Sequence, residues 1–146
     1  MKIIEQDILS VQEGIICHQV NCQGKMGTGI ALAIHKKWPK VYNNYIGWIS
    51  NPGSLLGYFQ LVEITPNLYV ANMFCQDRYG RDKRYTDYNA VKQAFTELYN
   101  WWRKYLINLQ IYIPYNMGCG NAGGDWKTYS DIVEEVCPGA IVCRKS

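Results

Sequence analysis

No stretch of this 146-residue sequence approaches 18 uncharged apolar residues, and Glu5 and Asp7 interrupt the place where a signal region would have to be apolar. Neither a membrane span nor a secretion leader is therefore expected, and the chain reads as cytoplasmic. Histidine is scarce, with two residues, and the six cysteines at positions 17, 22, 75, 119, 137 and 143 contain no C-x-x-C pair. With no histidine at ligand spacing, zinc and redox motifs lack support, so free buried thiols and neither metal nor cofactor are expected. Excess charge is missing too: 15 Lys and Arg against 12 Asp and Glu leave +3. That is too little and too dispersed to argue for a DNA-binding protein, though it mildly favours anionic small molecules. Repeats, low-complexity tracts and linkers are absent, so residues 1–146 read as a single domain, able to bury roughly two thirds of its unfolded surface.

What the chain does have is glycine concentrated in two places. In HQVNCQGKMGTGIA, from His18 to Ala31, a strand-like run breaks into polar and small residues with Gly24, Gly27 and Gly29 before a helical pattern starts near Ile30. Glycines permit positive φ or close backbone approach, and the unpaired N–H groups of the helix start would face the same place, an anion cradle. The spacing fits neither the phosphate loop ending in Gly-Lys-Ser/Thr nor G-x-G-x-x-G, and a glycine-rich turn without a ligand is the alternative. The second stretch repeats the logic: strand IYIPY, then NMGCGNAGGD, then a helix that Asp125 would cap. Two such loops at the carboxyl ends of strands in an open α/β sheet would grip two phosphates from opposite sides.

The rest of the chain supplies the frame. Strands are expected at Lys2 to Glu5, Ile15 to Val20, Gly57 to Ile64, Leu68 to Phe74, Gln110 to Tyr115 and Ala140 to Arg144, with Thr65-Pro66-Asn67 closing an antiparallel hairpin. Asp7 sits in a bend where its carboxylate would cap a turn or face a ligand. A helix from Ile30 must stop near Trp38 because Pro39 follows, and a second restarts at Lys40 and runs toward Ile49, before a loop at Asn51-Pro52-Gly53-Ser54. Tyr88, Val91, Ala94, Phe95, Leu98, Trp102 and Tyr105 form one stripe at helical period, with Thr86 as the expected cap. The polar stretch QDRYGRDKR between Cys75 and Tyr85 reads as a solvated loop or a substrate-facing flap. Together these predict a mixed sheet of six strands covered on both faces.

In order and spacing, QDIL at 6–9, HQVNCQGKMGTGIA at 18–31 with the following KKWPKVYNNY, YVANMF at 69–74 and IPYNMGCGNAGGDW at 113–126 resemble the macrodomain family. The likeness is specifically to its short branch of ADP-ribose 1″-phosphate phosphatases and terminal ADP-ribose glycohydrolases, and it covers nearly the whole chain. It implies a three-layer α/β/α fold and an ADP-ribose site, with ADP-ribose or a derivative as partner and an ADP-ribosylated macromolecule as a further one. By this resemblance Asp7 accepts the adenine amino group beside the Ile8 N–H. Asn21 and the backbone of Gly24, Lys25, Met26, Gly27, Thr28, Gly29 and Ile30 hold the distal ribose and a phosphate. Gly118, Cys119, Gly120, Asn121, Ala122 and Gly123 wrap the diphosphate. His18 matches a histidine of the phosphatase members and is the expected general acid or base, with Asp125 orienting water or His18; a strand-end role for His18 and a capping role for Asp125 are the structural alternatives.

The sequence differs from the glycohydrolase members in having Met73 and Phe74 near the place of their reactive lysine, the next lysine being Lys83, and in having Ala122 near the place of its acidic partner. Cys143 stands where an aromatic residue often covers adenine. The leading expectation is hydrolysis of the terminal phosphate of ADP-ribose 1″-phosphate. The alternatives are a reader of ADP-ribose or a related NAD-derived signal without turnover, and a hydrolase acting on ADP-ribosylated protein or nucleic acid.

Overall fold

The computed structural model describes residues 1–50 and 54–145. Among these residues six strands form one sheet: β1 (Ile3–Glu5), β2 (Gly14–Val20), β3 (Phe59–Thr65), β4 (Leu68–Phe74), β5 (Ile111–Pro114) and β6 (Ile141–Arg144), in spatial order β1-β6-β5-β2-β4-β3. All pairings are parallel except β3 with β4, the hairpin expected from its short connection. Four helices cover the sheet: α1 (Gly29–Lys37), α2 (Pro39–Ile49), α3 (Tyr88–Tyr105) and α4 (Trp126–Val136). No described helix is long and apolar enough to cross a membrane.

Alternation along the strands divides the interior into two cores. In β2, Ile15 and Cys17 point to one face, where they meet Val91, Phe95 and Leu98 of α3 and Tyr129 and Val133 of α4. Ile16 and Val20 point to the other, against Ile34 of α1 and Val41 and Tyr45 of α2. A strand covered on both sides reads as a nearly continuous apolar run, which is why GIIC gives no alternating pattern. Trp38 separates α1 from α2 at φ −131° and ψ 81°, held out of helical geometry by the following Pro39, whose ring then starts α2 at its first turn.

Three expected boundaries are corrected. Helix α1 begins at Gly29 and α2 at Pro39, each one residue early, and α3 is capped by Asp87. The Asp87 carboxylate accepts from the Ala90 N–H at 3.0 Å. Thr86 instead turns inward, 2% exposed, and its hydroxyl serves the loop described below. The loop expected at 51–54 lies, apart from Ser54, outside the described residues.

Loss of a side-chain cap typically costs about 1 kcal/mol. Asp87→Ala is therefore expected to lower the urea-unfolding free energy by about that amount, whereas Thr86→Ser, which keeps the buried hydroxyl, loses less. An unchanged midpoint for Asp87→Ala contradicts the assigned cap.

Candidate functional site

Strands β2 and β5 are parallel neighbours, and the chain leaves their carboxyl ends toward opposite faces, through α1 on one side and α4 on the other. A crevice opens where connections diverge in this way. Here it encloses about 300 Å³ between residues 18–31, the segment Gln76 to Gly80, and residues 114–122.

The first wall is organised by Asn21, a buried residue just past β2. Its Oδ1 accepts from the Gln23 N–H at 2.9 Å and the Lys25 N–H at 3.3 Å, while Nδ2 donates to the Lys25 carbonyl at 2.8 Å. From α2 the Tyr45 hydroxyl, 2.7 Å from the Asn21 carbonyl, accepts from the Gly24 N–H at 3.0 Å. Beyond this clasp, residues Gly27 to Ile30 are exposed. Thr28 occupies the N-cap of α1 but makes no side-chain cap hydrogen bond, leaving the first N–H groups of the helix open to the crevice.

The second wall is pinned from below. Thr86 donates to the Gly118 carbonyl at 2.6 Å and receives Gln19 Nε2 at 2.9 Å, while Tyr129 donates to Gln19 Oε1 at 2.9 Å. The Ala122 carbonyl accepts from the Tyr85 and Thr86 N–H groups at 2.7 and 3.2 Å. Carbonyls 118 and 122 are thus engaged with protein donors and do not oppose an anion. Gly118 has φ +72°, and a Cβ there would lie 2.6 Å from both Gln19 Oε1 and Tyr129 Cε2, so only glycine fits. The walls meet where Asn121 Nδ2 donates to Thr28 Oγ1 at 3.3 Å.

His18 lines the crevice from β2 and is 1% exposed. Its Nε2 pairs with Asn72 Oδ1, and its Nδ1 has no partner among the described residues. Burial depresses the imidazole pKa from 6.5 to about 4, against a smaller opposing effect of Asn72, so the ring is neutral at pH 7. Of the two roles expected from the sequence, general acid or general base, a neutral ring lacks the extra proton of the acid and keeps the lone pair of the base.

Of the other expected residues, the crevice gathers Asn21, Lys25, Gly27, Thr28, Gly29, Ile30, Gly118, Gly120, Asn121 and Ala122. The remainder lie outside its lining, each for a visible reason. Asp125 caps α4, accepting from the Thr128 N–H and hydroxyl at 3.0 and 2.9 Å, and these bonds hold its carboxyl below the usual range. It makes no bond to His18, so the expected catalytic pair is not assembled. Asp7 caps the 3-10 turn Ile8–Ser10 through the Leu9 N–H and pairs with Lys145 at 3.4 Å, and Ile8 is buried beneath it. Met26 is a core residue, Gly24 packs toward Ile46, Gly123 toward the backbone of Lys83 and Arg84, and Cys119 lies half-buried against the α4 side. Sequence reasoning missed Gln19, Gln76, Tyr79, Tyr115 and Asn116 as lining residues. It also missed Tyr45 and Thr86 as the supports of the two loops; their polar atoms gave no signal because both sat in or beside helical stripes.

The lining carries one formal charge, Lys25, and no carboxylate among the described residues. Its groups are backbone N–H, amide and hydroxyl donors around a single cation, a set suited to an anion.

No family model matches the chain. A curated relative, the ADP-ribose 1″-phosphate phosphatase of Meyerozyma guilliermondii, is 33% identical over 92 residues, 53% of each chain. The chain spans about half the length of the curated relatives first matched. A crystal structure from Bacteroides thetaiotaomicron superposes with a TM-score of 0.88 at 28% identity, covering 100% of this chain and 99% of that one. The macrodomain of Thermus aquaticus DarG superposes with a TM-score of 0.79 at 19% identity, covering 99% and 97%. The chain has the macrodomain fold. Thermosipho africanus DarTG, solved in complex with ADP-ribose, contains the same fold: TM-score 0.81 at 14% identity, over 99% of this chain and 41% of that one.

Gly27 has open space where a Cβ would go, Gly29 has open space but φ +58°, and Gly118 has both positive φ and a clash. Stability measured by urea unfolding should be unchanged in Gly27→Ala, lower by about 1–2 kcal/mol in Gly29→Ala, and lower still in Gly118→Ala. Equal effects at Gly27 and Gly118 contradict the second wall.

The neutral His18 sets a pH dependence. The folded state resists protonation down to about pH 4 while the unfolded chain takes up a proton near 6.5. The unfolded state therefore binds more protons between these values, and stability falls as pH falls through that window. Between pH 7 and pH 5 the loss should be about 2 kcal/mol, and His18→Gln should flatten it. An equal slope in the variant contradicts burial of a neutral ring.

Proposed function

We propose that this macrodomain binds ADP-ribose and hydrolyses the terminal phosphate of ADP-ribose 1″-phosphate. One observation carries the reading: the uncapped N-terminus of α1 faces a second glycine-rich loop across a crevice whose one formal charge is Lys25. Helix N-terminal N–H groups favour anions, and loop N–H groups held in place before the ligand arrives need no reorganisation when charge develops in the transition state. The name of the Meyerozyma relative and the ADP-ribose in the Thermosipho complex give the same chemistry for those proteins.

In this reading the lining residues Lys25 and Gly27 to Ile30 hold the distal ribose and its phosphate, and Gly118 with Gly120 to Ala122 holds the diphosphate. Asp7, still able to accept further hydrogen bonds, marks the adenine end with the Ile8 N–H. Water supplies the hydroxyl that ends on phosphorus and the proton that ends on the ribose oxygen. With a neutral His18 and no carboxylate in the lining, the acceleration rests on position and electrostatics, not on a strong acid. The same two facts favour a second reading, a reader of ADP-ribose without turnover. The exposed Arg78, Arg81, Lys83 and Arg84 flank the rim residues Tyr79 and Gly80, which favours an ADP-ribosylated macromolecule as a further partner.

Incubation with ADP-ribose 1″-phosphate should release phosphate, and Gly29→Glu, which places a carboxylate at the anion site, should abolish both release and ADP-ribose binding by calorimetry. Binding without release selects the reader. Absence of binding in the wild type removes the ADP-ribose reading altogether.

A further inference from the structure

A row of buried polar side chains crosses three strands and ends on one unpaired atom of His18, a residue of the crevice lining. His18 of β2 lies opposite Asn72 of β4, and Asn72 lies opposite Gln60 of β3. All three are buried, and they are hydrogen-bonded in series. The row is anchored at its far end on the backbone carbonyl of Asn44 in α2, which accepts from Gln60 Nε2 at 2.9 Å.

That anchor orients every group in the row. A carbonyl oxygen only accepts, so the Gln60 amide must present its nitrogen to Asn44 and its Oε1 to Asn72. Asn72 Nδ2 then donates to Gln60 Oε1 at 3.0 Å, which turns Asn72 Oδ1 toward His18. An oxygen facing Nε2 requires the ring proton to be on Nε2. In a neutral imidazole Nδ1 then carries a lone pair and no hydrogen, and this is the atom left without a partner.

We propose that Gln60 and Asn72 are positioning residues that fix His18 with Nε2 protonated, so that Nδ1 receives an O–H donor at the floor of the crevice. The donor is a hydroxyl of the ligand's terminal ribose or a water held beside its 1″ group. This deepens the ADP-ribose reading and rests on it. A lone pair facing a deprotonated phosphate oxygen sets two acceptors against each other, so the same ring turns phosphate away from the floor and toward the N–H groups of the two walls. Filling Nδ1 with a donor removes the cost of a buried unpaired acceptor, which gives the ligand's hydroxyl an energetic advantage over a hydrogen in its place.

The test reads the ring directly, by nitrogen-15 NMR of the imidazole in the ligand-free protein at pH 7. The expected signature is the neutral form protonated on Nε2; a proton on Nδ1, or an imidazolium, overturns the proposal. Asn72→Asp places a carboxylate beside Nε2 and should draw a second proton onto the ring, while Gln60→Leu frees the Asn72 amide to turn over and should mix the two neutral forms. An unchanged ring signature in both variants overturns the positioning role, and if either fails to fold, the wild-type spectrum still decides the tautomer.

Calorimetry with 2″-deoxy and 3″-deoxy ADP-ribose then separates the two donors. If the partner is a ribose hydroxyl, one deoxy ligand binds about tenfold more weakly to the wild type and no more weakly to His18→Leu. If it is a water, the deoxy penalties are the same in both proteins, and His18→Leu lowers kcat for ADP-ribose 1″-phosphate at unchanged KM. Coupling of His18 to the 1″-phosphate itself overturns the proposal. A wild type that binds no ADP-ribose removes the functional reading instead, a result told apart because the ring signature is recorded without ligand.

Discussion

Because β2 is hydrogen-bonded in parallel register to both β4 and β5, its carboxyl end cannot be covered by a tight turn to either neighbour. The chain must leave through helices, and it leaves β2 and β5 toward opposite faces. The crevice follows from that divergence. It is also why the two glycine-rich loops, some ninety positions apart in sequence, face each other: each begins where one of two adjacent parallel strands ends.

Strand alternation then gives the two faces different work beneath the site. On the α3 and α4 face, Gln19 joins Tyr129 and Thr86 to fix the backbone of the second loop. On the α1 and α2 face, His18 joins Asn72 and Gln60, while Tyr45 fixes the first loop. Adjacent residues of one strand thus support opposite walls and the floor. The inward-pointing backbone groups of the loops are satisfied partly by the buried side chains of Asn21, Tyr45 and Thr86 and partly by backbone bonds such as those from the Gly124 N–H to the Gly118 carbonyl and from the Tyr85 N–H to the Ala122 carbonyl.

Much of this was legible in the sequence where a local rule governed. The α3 stripe from Tyr88 to Tyr105 obeys helical period, β4 from Leu68 to Phe74 follows a hairpin turn, and Asp125 sits where a cap is needed. The cap of α3 was misplaced because Thr86 and Asp87 are both competent caps, and the choice was made by Gln19 and Gly118, distant in sequence. Asp125 illustrates the same limit: motif order placed it near the chemistry, while its carboxylate is consumed by Thr128. Asn72 and Gln60 carried no signal, since a polar residue inside an apolar strand is interpretable only once its cross-strand partner is known. His18 was expected as a general acid or base; it lines the crevice, but burial, which sets its charge, is not written in its neighbours along the chain.

Residues 21–31 and 116–123 are proposed to form one anion site shared between two strand ends. Titration of the isotopically labelled protein with ADP-ribose, followed through its backbone amide resonances, tests it most directly. The account predicts saturating shifts in both segments with a single dissociation constant, together with a shift of the His18 ring. Shifts confined to one segment, or centred on Arg78 to Arg84 with the two loops unmoved, would contradict it.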